Sequence, residues 1–193
     1  MLFIGLIAAL AAALSTVAPP PPPSVQPRPI GAGPGYVLPA APPAVLAGRP
    51  VGRLRCGGSA SARFGVHLEL FARRQVVIVP AGIGVARPFG RRLGRVAPQG
   101  CSYPLRTLEP TGVVEVAPGP RLAVRDLFAL WGQPLARTRL AGFESRAPVL
   151  AYLGGRRWRG DPGSIPLTRH AQIVLEIGGY VPPHPAYLFQ KGL

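Results

Sequence analysis

Hydrophobic and polar positions alternate along "VHLELF": Val66, Leu68 and Leu70 fall on one side, His67, Glu69 and Phe71 on the other. A period of two predicts a half-buried strand. The polar "ARRQ" then predicts a turn into "VVIVP", Val76 to Pro80, and hence a hairpin. "GVVEV", Gly112 to Val116, reads as a further strand. "LAVRDLFALWG" has a different period, because Val124, Leu127, Phe128 and Trp131 stand at i, i+3, i+4 and i+7, a single stripe on a helix. Gly132 and Pro134 end that helix, and the stripe places Trp131 in or beside the core. "VLAYL" (Val149 to Leu153), the turn Gly154-Gly155, "RRWR" and "AQIVLEIG" (Ala171 to Gly178) predict more strands around tight turns. A hairpin, a strand, one helix and further strands imply an α+β fold: a small mixed or antiparallel sheet covered by one main helix, with a β-grasp-like arrangement as the expected topology.

Upstream the pattern is lost. Leu2 to Ala18, "LFIGLIAALAAALSTVA", is uncharged and almost wholly apolar. Its length lies between a signal-peptide core of about 7 to 15 residues and a spanning helix of about 20, so retained anchor, cleaved signal and buried core helix all stay open. Pro19 to Pro50 follows with 12 of the chain's 26 prolines, five of them consecutive. That composition favours polyproline II and predicts a semi-rigid spacer. The expected organisation is a hydrophobic signal or anchor segment at residues 1–18, a Pro-rich disordered linker at 19–51 and a globular α+β domain at 52–193. Such an order suits a protein of the cell envelope, membrane-anchored or secreted.

Charge narrows the partners. The 22 basic residues, all arginine except Lys191, face 7 acidic ones for a net charge of +15. A field of that sign favours an anionic membrane surface, an acidic envelope polymer or an acidic face of another envelope protein. Export and the lack of a recognisable nucleic-acid fold argue against nucleic acid. Arginine is concentrated in "RPFGRRLGR" (Arg87, Arg91, Arg92, Arg95) and in "RRWR" (Arg156, Arg157, Arg159), both in or beside turns, and these are the candidate anion-binding residues. Cys56 and Cys101 are the only cysteines, and in an oxidising compartment their default state is a disulfide. There is no G-x-S-x-G elbow, carboxylate pair or phosphate loop, and "GAGPG" at Gly31 to Gly35 contains a proline and follows no strand. The expectation is therefore a non-enzymatic protein without a cofactor.

"RFGVHLELF", "VPAGIGV", "CSYPLRTLEPTGVVEV", "LFALWGQPL" and "GDPGSIPLTRHAQIVLEIG" together resemble a family of small exported proteins, mostly actinobacterial, that carry a histidine-rich strand HxHxHL and a loop of the form C-x-x-W-L-H-T-H-D-x-x-G. The likeness spans roughly Arg63 to Leu193. On that pattern His67 stands at the third strand histidine, with Gly65 and Arg63 at the other two. Arg106 and Leu108 replace both loop histidines, Glu109 takes the acidic position, and Cys101 is kept. What the resemblance implies here is a degenerate copper or zinc site whose remaining donors are His67, Glu109 and Cys101. A divalent ion wants three or four imidazole, thiolate or carboxylate donors, so this set is weak. His170 and His184 have no partner at ligand spacing.

Overall fold

The computed structural model describes residues 24–25, 35–39, 44–57, 62–93 and 95–193. The apolar stretch Leu2–Ala18 lies outside the described residues, among which no helix is long and apolar enough to cross a membrane.

Two short strands, β1 (Ser24–Val25) and β2 (Tyr36–Val37), precede β3 (Phe64–Ala72) and β4 (Gln75–Val77). A separate hairpin follows, β5 (Phe89–Arg92) with β6 (Arg95–Pro98). Next come β7 (Leu105–Arg106), β8 (Val113–Val116) and the helix α1 (Val124–Trp131). A small antiparallel sheet is made by β9 (Leu135–Ala136), β10 (Arg139–Leu140) and β11 (Phe143–Glu144). The chain ends with β12 (Leu150–Leu153), β13 (Arg156–Trp158), β14 (Gln172–Ile177) and β15 (Ala186–Tyr187). In the main sheet the order is β13-β12-β14-β3-β4-β2, with β8 also on β3 and β7 on β8.

Among the described residues the protein is mostly β, 37% strand against 7% helical, spread over several sheets. The finding overturns the expected α+β sheet beneath one main helix, and the β-grasp-like arrangement with it. The helix has only eight residues, about 12 Å at 1.5 Å per residue, which is too short to cover the sheet. Ile83, Tyr103, Leu140, Ile165 and Leu167, contributed by loops and short strands, complete the cover. The strands of "RPFGRRLGRVAP" and "QPLARTRLAGFE" lack sustained alternation, so no pattern announces them.

The long strand β3 organises the fold. One edge pairs in parallel with β14 in the register His67–Gln172 to Ala72–Ile177. The other edge is shared: residues 64–67 pair with β8 and residues 70–72 with β4. Alternation then separates two faces. Val66, Leu68 and Leu70 join Ile173, Leu175 and Ile177 in the main core, against Leu127, Phe128 and Trp131 of α1. The opposite face bears a smaller apolar cluster of Phe71, Tyr152 and Val174. Asp126, in the first turn of α1, accepts from the Ala123 N–H (2.9 Å) and from Arg53 (2.7 Å). At the other end Gly132 closes the helix in the left-handed region (φ +72°) that a side chain disfavours.

Parts of the proline-rich stretch lie on this body. β1 pairs in parallel with β15, β2 with β4, Leu46 is buried in the core, and the Ala44 N–H donates to the Trp131 carbonyl (3.0 Å).

Candidate functional site

The register sends most of the ionisable side chains of the main sheet to the face opposite the core. Gly65, His67, Glu69 and Phe71 of β3 alternate with the core residues, as do Gln172, Val174 and Glu176 of β14. Gly65 stands opposite Glu115 of β8, which stands opposite Arg106 of β7, so these three form one row across the sheet. Over this face runs the C-terminal segment bearing His184, Tyr187 and Phe189. Gly65 permits its close approach, because a Cβ there would lie 2.5 Å from the Phe189 ring.

His67 is buried and stacked on Tyr187, with ring centroids 3.6 Å apart. Its Nδ1 lies 2.7 Å from the Gln172 side-chain oxygen and its Nε2 lies 3.0 Å from the Thr111 carbonyl. Two acceptors thus face a ring that has one N–H when neutral. Burial keeps it neutral, pushing its pKa down to about 4. The consistent arrangement has Nε2–H donating to Thr111, with the Gln172 amide turned so that its NH2 donates to Nδ1. This also gives a partner to the Gln172 nitrogen, otherwise buried without one.

Two of the positions that the family pattern would fill with histidine share this face with His67, and what occupies the region is an ion-pair network. Arg106 holds Glu115 through Nε (2.8 Å) and Nη2 (2.7 Å), while Arg95 reaches Glu115 (3.1 Å) and Glu109 (2.8 Å). Arg63 turns its guanidinium to the carbonyls of Pro104 (3.0 Å) and Tyr103 (3.3 Å), and Leu108 is buried with Val85 and Val96. Cys56 and Cys101 are bonded to each other. The donor set His67, Glu109 and Cys101 is not assembled: the sulfur is in the disulfide, the carboxylate is on Arg95, and both imidazole nitrogens are engaged. Among the described residues no three His, Cys, Asp or Glu side chains are grouped to hold a metal. A copper or zinc ion does not fit this arrangement.

Two features escaped the sequence reading. His184 donates from Nδ1 to both oxygens of Glu69, each at 3.0 Å, joining residues 115 positions apart. Glu69 is mostly buried; desolvation raises its pKa, and the imidazole opposes that shift. The pair lines a cavity of about 540 Å³ that opens where β8 leaves β3 and β4 joins it, bounded also by His67, Thr111, Val181 and Tyr187. The second feature is Glu176, fully buried beside Tyr152 and Val181, with its pKa pushed up to about 7 by desolvation. One of its oxygens accepts the Val181 N–H (3.3 Å) and the other has no partner. Neither feature has a local sequence signal, since each joins a strand to the proline-rich tail.

The arginine groups lie apart from this face except for Arg95 and Arg157, the latter paired across the strands with Tyr152. Arg91 and Arg92 are exposed on the β5–β6 hairpin, and Arg87 sits at its base with its guanidinium 5.2 Å from the Phe89 ring centroid. Arg95 is turned inward onto Glu109 and Glu115. Arg156, Arg157 and Arg159 are exposed on and just beyond the edge strand β13. Arg157 donates to the Ala151 carbonyl (3.1 Å) and packs over Tyr152 at 5.5 Å. The seven carboxylates are all engaged internally: Glu109, Glu115, Asp126, Glu144 and Asp161 with arginine, Glu69 with His184, and Glu176 by burial. Together they occupy five arginines, Arg53, Arg95, Arg106, Arg125 and Arg139. Compared with protein-family models, with curated proteins and with solved structures, the chain matches none.

Proposed function

We propose that this is a non-enzymatic, membrane-anchored or secreted protein of the cell envelope whose folded unit binds an anionic surface through exposed arginine. The observation that carries the reading is the disposition of charge. Seven carboxylates are consumed by internal partners, while Arg91, Arg92, Arg156 and Arg159 stand exposed without a carboxylate. A chain of net charge +15 therefore presents its excess outward, where it attracts anionic headgroups or polymers over about one Debye length, some 8 to 10 Å at physiological salt. The apolar Leu2–Ala18 stretch supports the envelope setting.

The test compares binding of the full chain to phosphatidylglycerol-containing and to purely zwitterionic vesicles across a salt series. Binding in excess of the zwitterionic level should fall steeply with salt. It should also fall when Arg91, Arg92, Arg156 and Arg159 are changed to alanine. Equal binding to the two lipid compositions would refute the proposal.

A further inference from the structure

The β5–β6 hairpin ends in a residue that neither solvent nor backbone conformation favours. Leu93 is 99% exposed, against 70% for the next most exposed large hydrophobic side chain among the described residues, Val45. Its φ of +50° lies in the left-handed region, where hairpin turns ordinarily place Asn, Asp or Gly. Just before the turn Arg92 pairs directly with Arg95, a like-charged cross-strand pair that opposes hairpin formation. Arg95 is compensated by Glu109 and Glu115; Arg92 is exposed and has no carboxylate.

The hairpin is nonetheless held firmly at its base. Val96 is buried with Val85 and Leu108, its N–H donates to the Leu108 carbonyl (2.8 Å), and Phe89 packs on the same cluster. The Arg95 ion pairs tie the second strand to the main sheet. An anchored arm therefore projects an apolar tip with cationic shoulders, Arg91 and Arg92.

We infer that the tip of the β5–β6 hairpin inserts into an anionic lipid bilayer, with Leu93 entering the acyl boundary and Arg91 and Arg92 resting on phosphate headgroups. This deepens the anionic-surface reading and rests on it, choosing lipid over an acidic polymer or protein. Both chemistries at the tip point to that choice. A polymer or acidic protein in water would reward the arginines and leave the leucine exposed, whereas a bilayer rewards both. The conformational cost of leucine at positive φ is then offset by its transfer out of water.

The experiment uses the full chain on vesicles. Tryptophan in Leu93→Trp should shift to the blue and be quenched by lipids brominated on their acyl chains, beyond the quenching of the parent, and more on anionic than on zwitterionic vesicles. The parent background comes from Trp158, half-buried beside Arg157 and Arg159, because Trp131 is fully buried; it is read in the parent and subtracted. In parallel, Leu93→Asn should fold as well as the parent or better, since Asn tolerates the left-handed region. On anionic vesicles, trypsin should then cut it after Arg91 and Arg92 about tenfold faster than the parent, the loss expected when one leucine forfeits burial. Three results decide the matter differently. Quenching together with faster cleavage supports insertion. An unquenched Trp, or unchanged cleavage of the Asn variant, on vesicles that the parent still prefers when anionic, overturns insertion and leaves surface binding standing. If the parent does not distinguish anionic from zwitterionic lipid, both proposals fall together.

Discussion

Glu176→Gln should stabilise this protein, and by an amount that grows with pH. Glu176 lies on β14 with its side chain under Tyr152 and Val181; one oxygen accepts the Val181 N–H and the other has no partner. That environment suits a neutral acid and penalises a carboxylate, which raises the pKa from 4.5 to about 7, opposed in part by the Val181 N–H and by Arg157. A group whose folded pKa lies above its unfolded one gives full stability below the unfolded value and loses it as pH rises through the folded value. Between pH 4.5 and 7 the unfolded chain holds fewer protons at this position, so unfolding becomes easier as pH rises. At about 1.36 kcal/mol per pH unit, the interval corresponds to about 3 kcal/mol. Glutamine keeps the shape and the acceptor for Val181 and has no charge to bury. The assay is urea unfolding of parent and variant from pH 4 to 8, taking the difference so that every other titration cancels. The difference should be near zero at pH 4 and reach about 3 kcal/mol in favour of the variant at pH 8. A difference that is flat with pH, or that favours the parent at pH 8, would refute the burial argument.

His67 acts in the opposite direction. Its folded pKa of about 4 lies below the ordinary 6.5, so its contribution is complete above pH 6.5 and is lost as pH falls to 4. The advantage of the parent over His67→Gln in urea unfolding should therefore shrink by about 3 kcal/mol across that window. Replacing both Cys56 and Cys101 with alanine releases a cross-link spanning 45 residues and should lower unfolding stability by roughly 4 kcal/mol in the chain-entropy model. Gly65→Ala places a methyl 2.5 Å from the Phe189 ring and should cost about 1 to 3 kcal/mol; in a Phe189→Ala background most of that cost should disappear, which a double-mutant cycle measures. Arg106→Ala removes the closer partner of Glu115, a carboxylate only 6% exposed, and should destabilise by about 2 to 4 kcal/mol at neutral pH in thermal or urea unfolding.

Several elements could be read from local pattern. Val66 to Phe71 alternates because a half-buried strand alternates, and it lies inside β3. The stripe Val124, Leu127, Phe128 and Trp131 coincides with the buried side of α1, where periodicity and burial express one geometry. Two cysteines allow one pairing, and that pairing is present. Other features left no trace of that kind. The strands β5, β6, β9, β10 and β11 have two to four residues each, too few for a period to emerge. They add to a strand content that already outweighs the single eight-residue α-helix among the described residues.

By itself the sequence determined which side of each long element would be apolar, the excess of arginine over carboxylate, and the one cross-link open to the cysteines. Those are properties of composition and short-range period, and they hold whatever the neighbours of an element turn out to be. Tertiary structure alone decided which polar groups would meet. The parallel register of β3 with β14 sets His67 beside Gln172, 105 residues away, and the returning tail lays His184 against Glu69. Strand pairing at such separations depends on the packing of the whole chain, because a period of two assigns a residue to a face and says nothing about which strand will lie alongside.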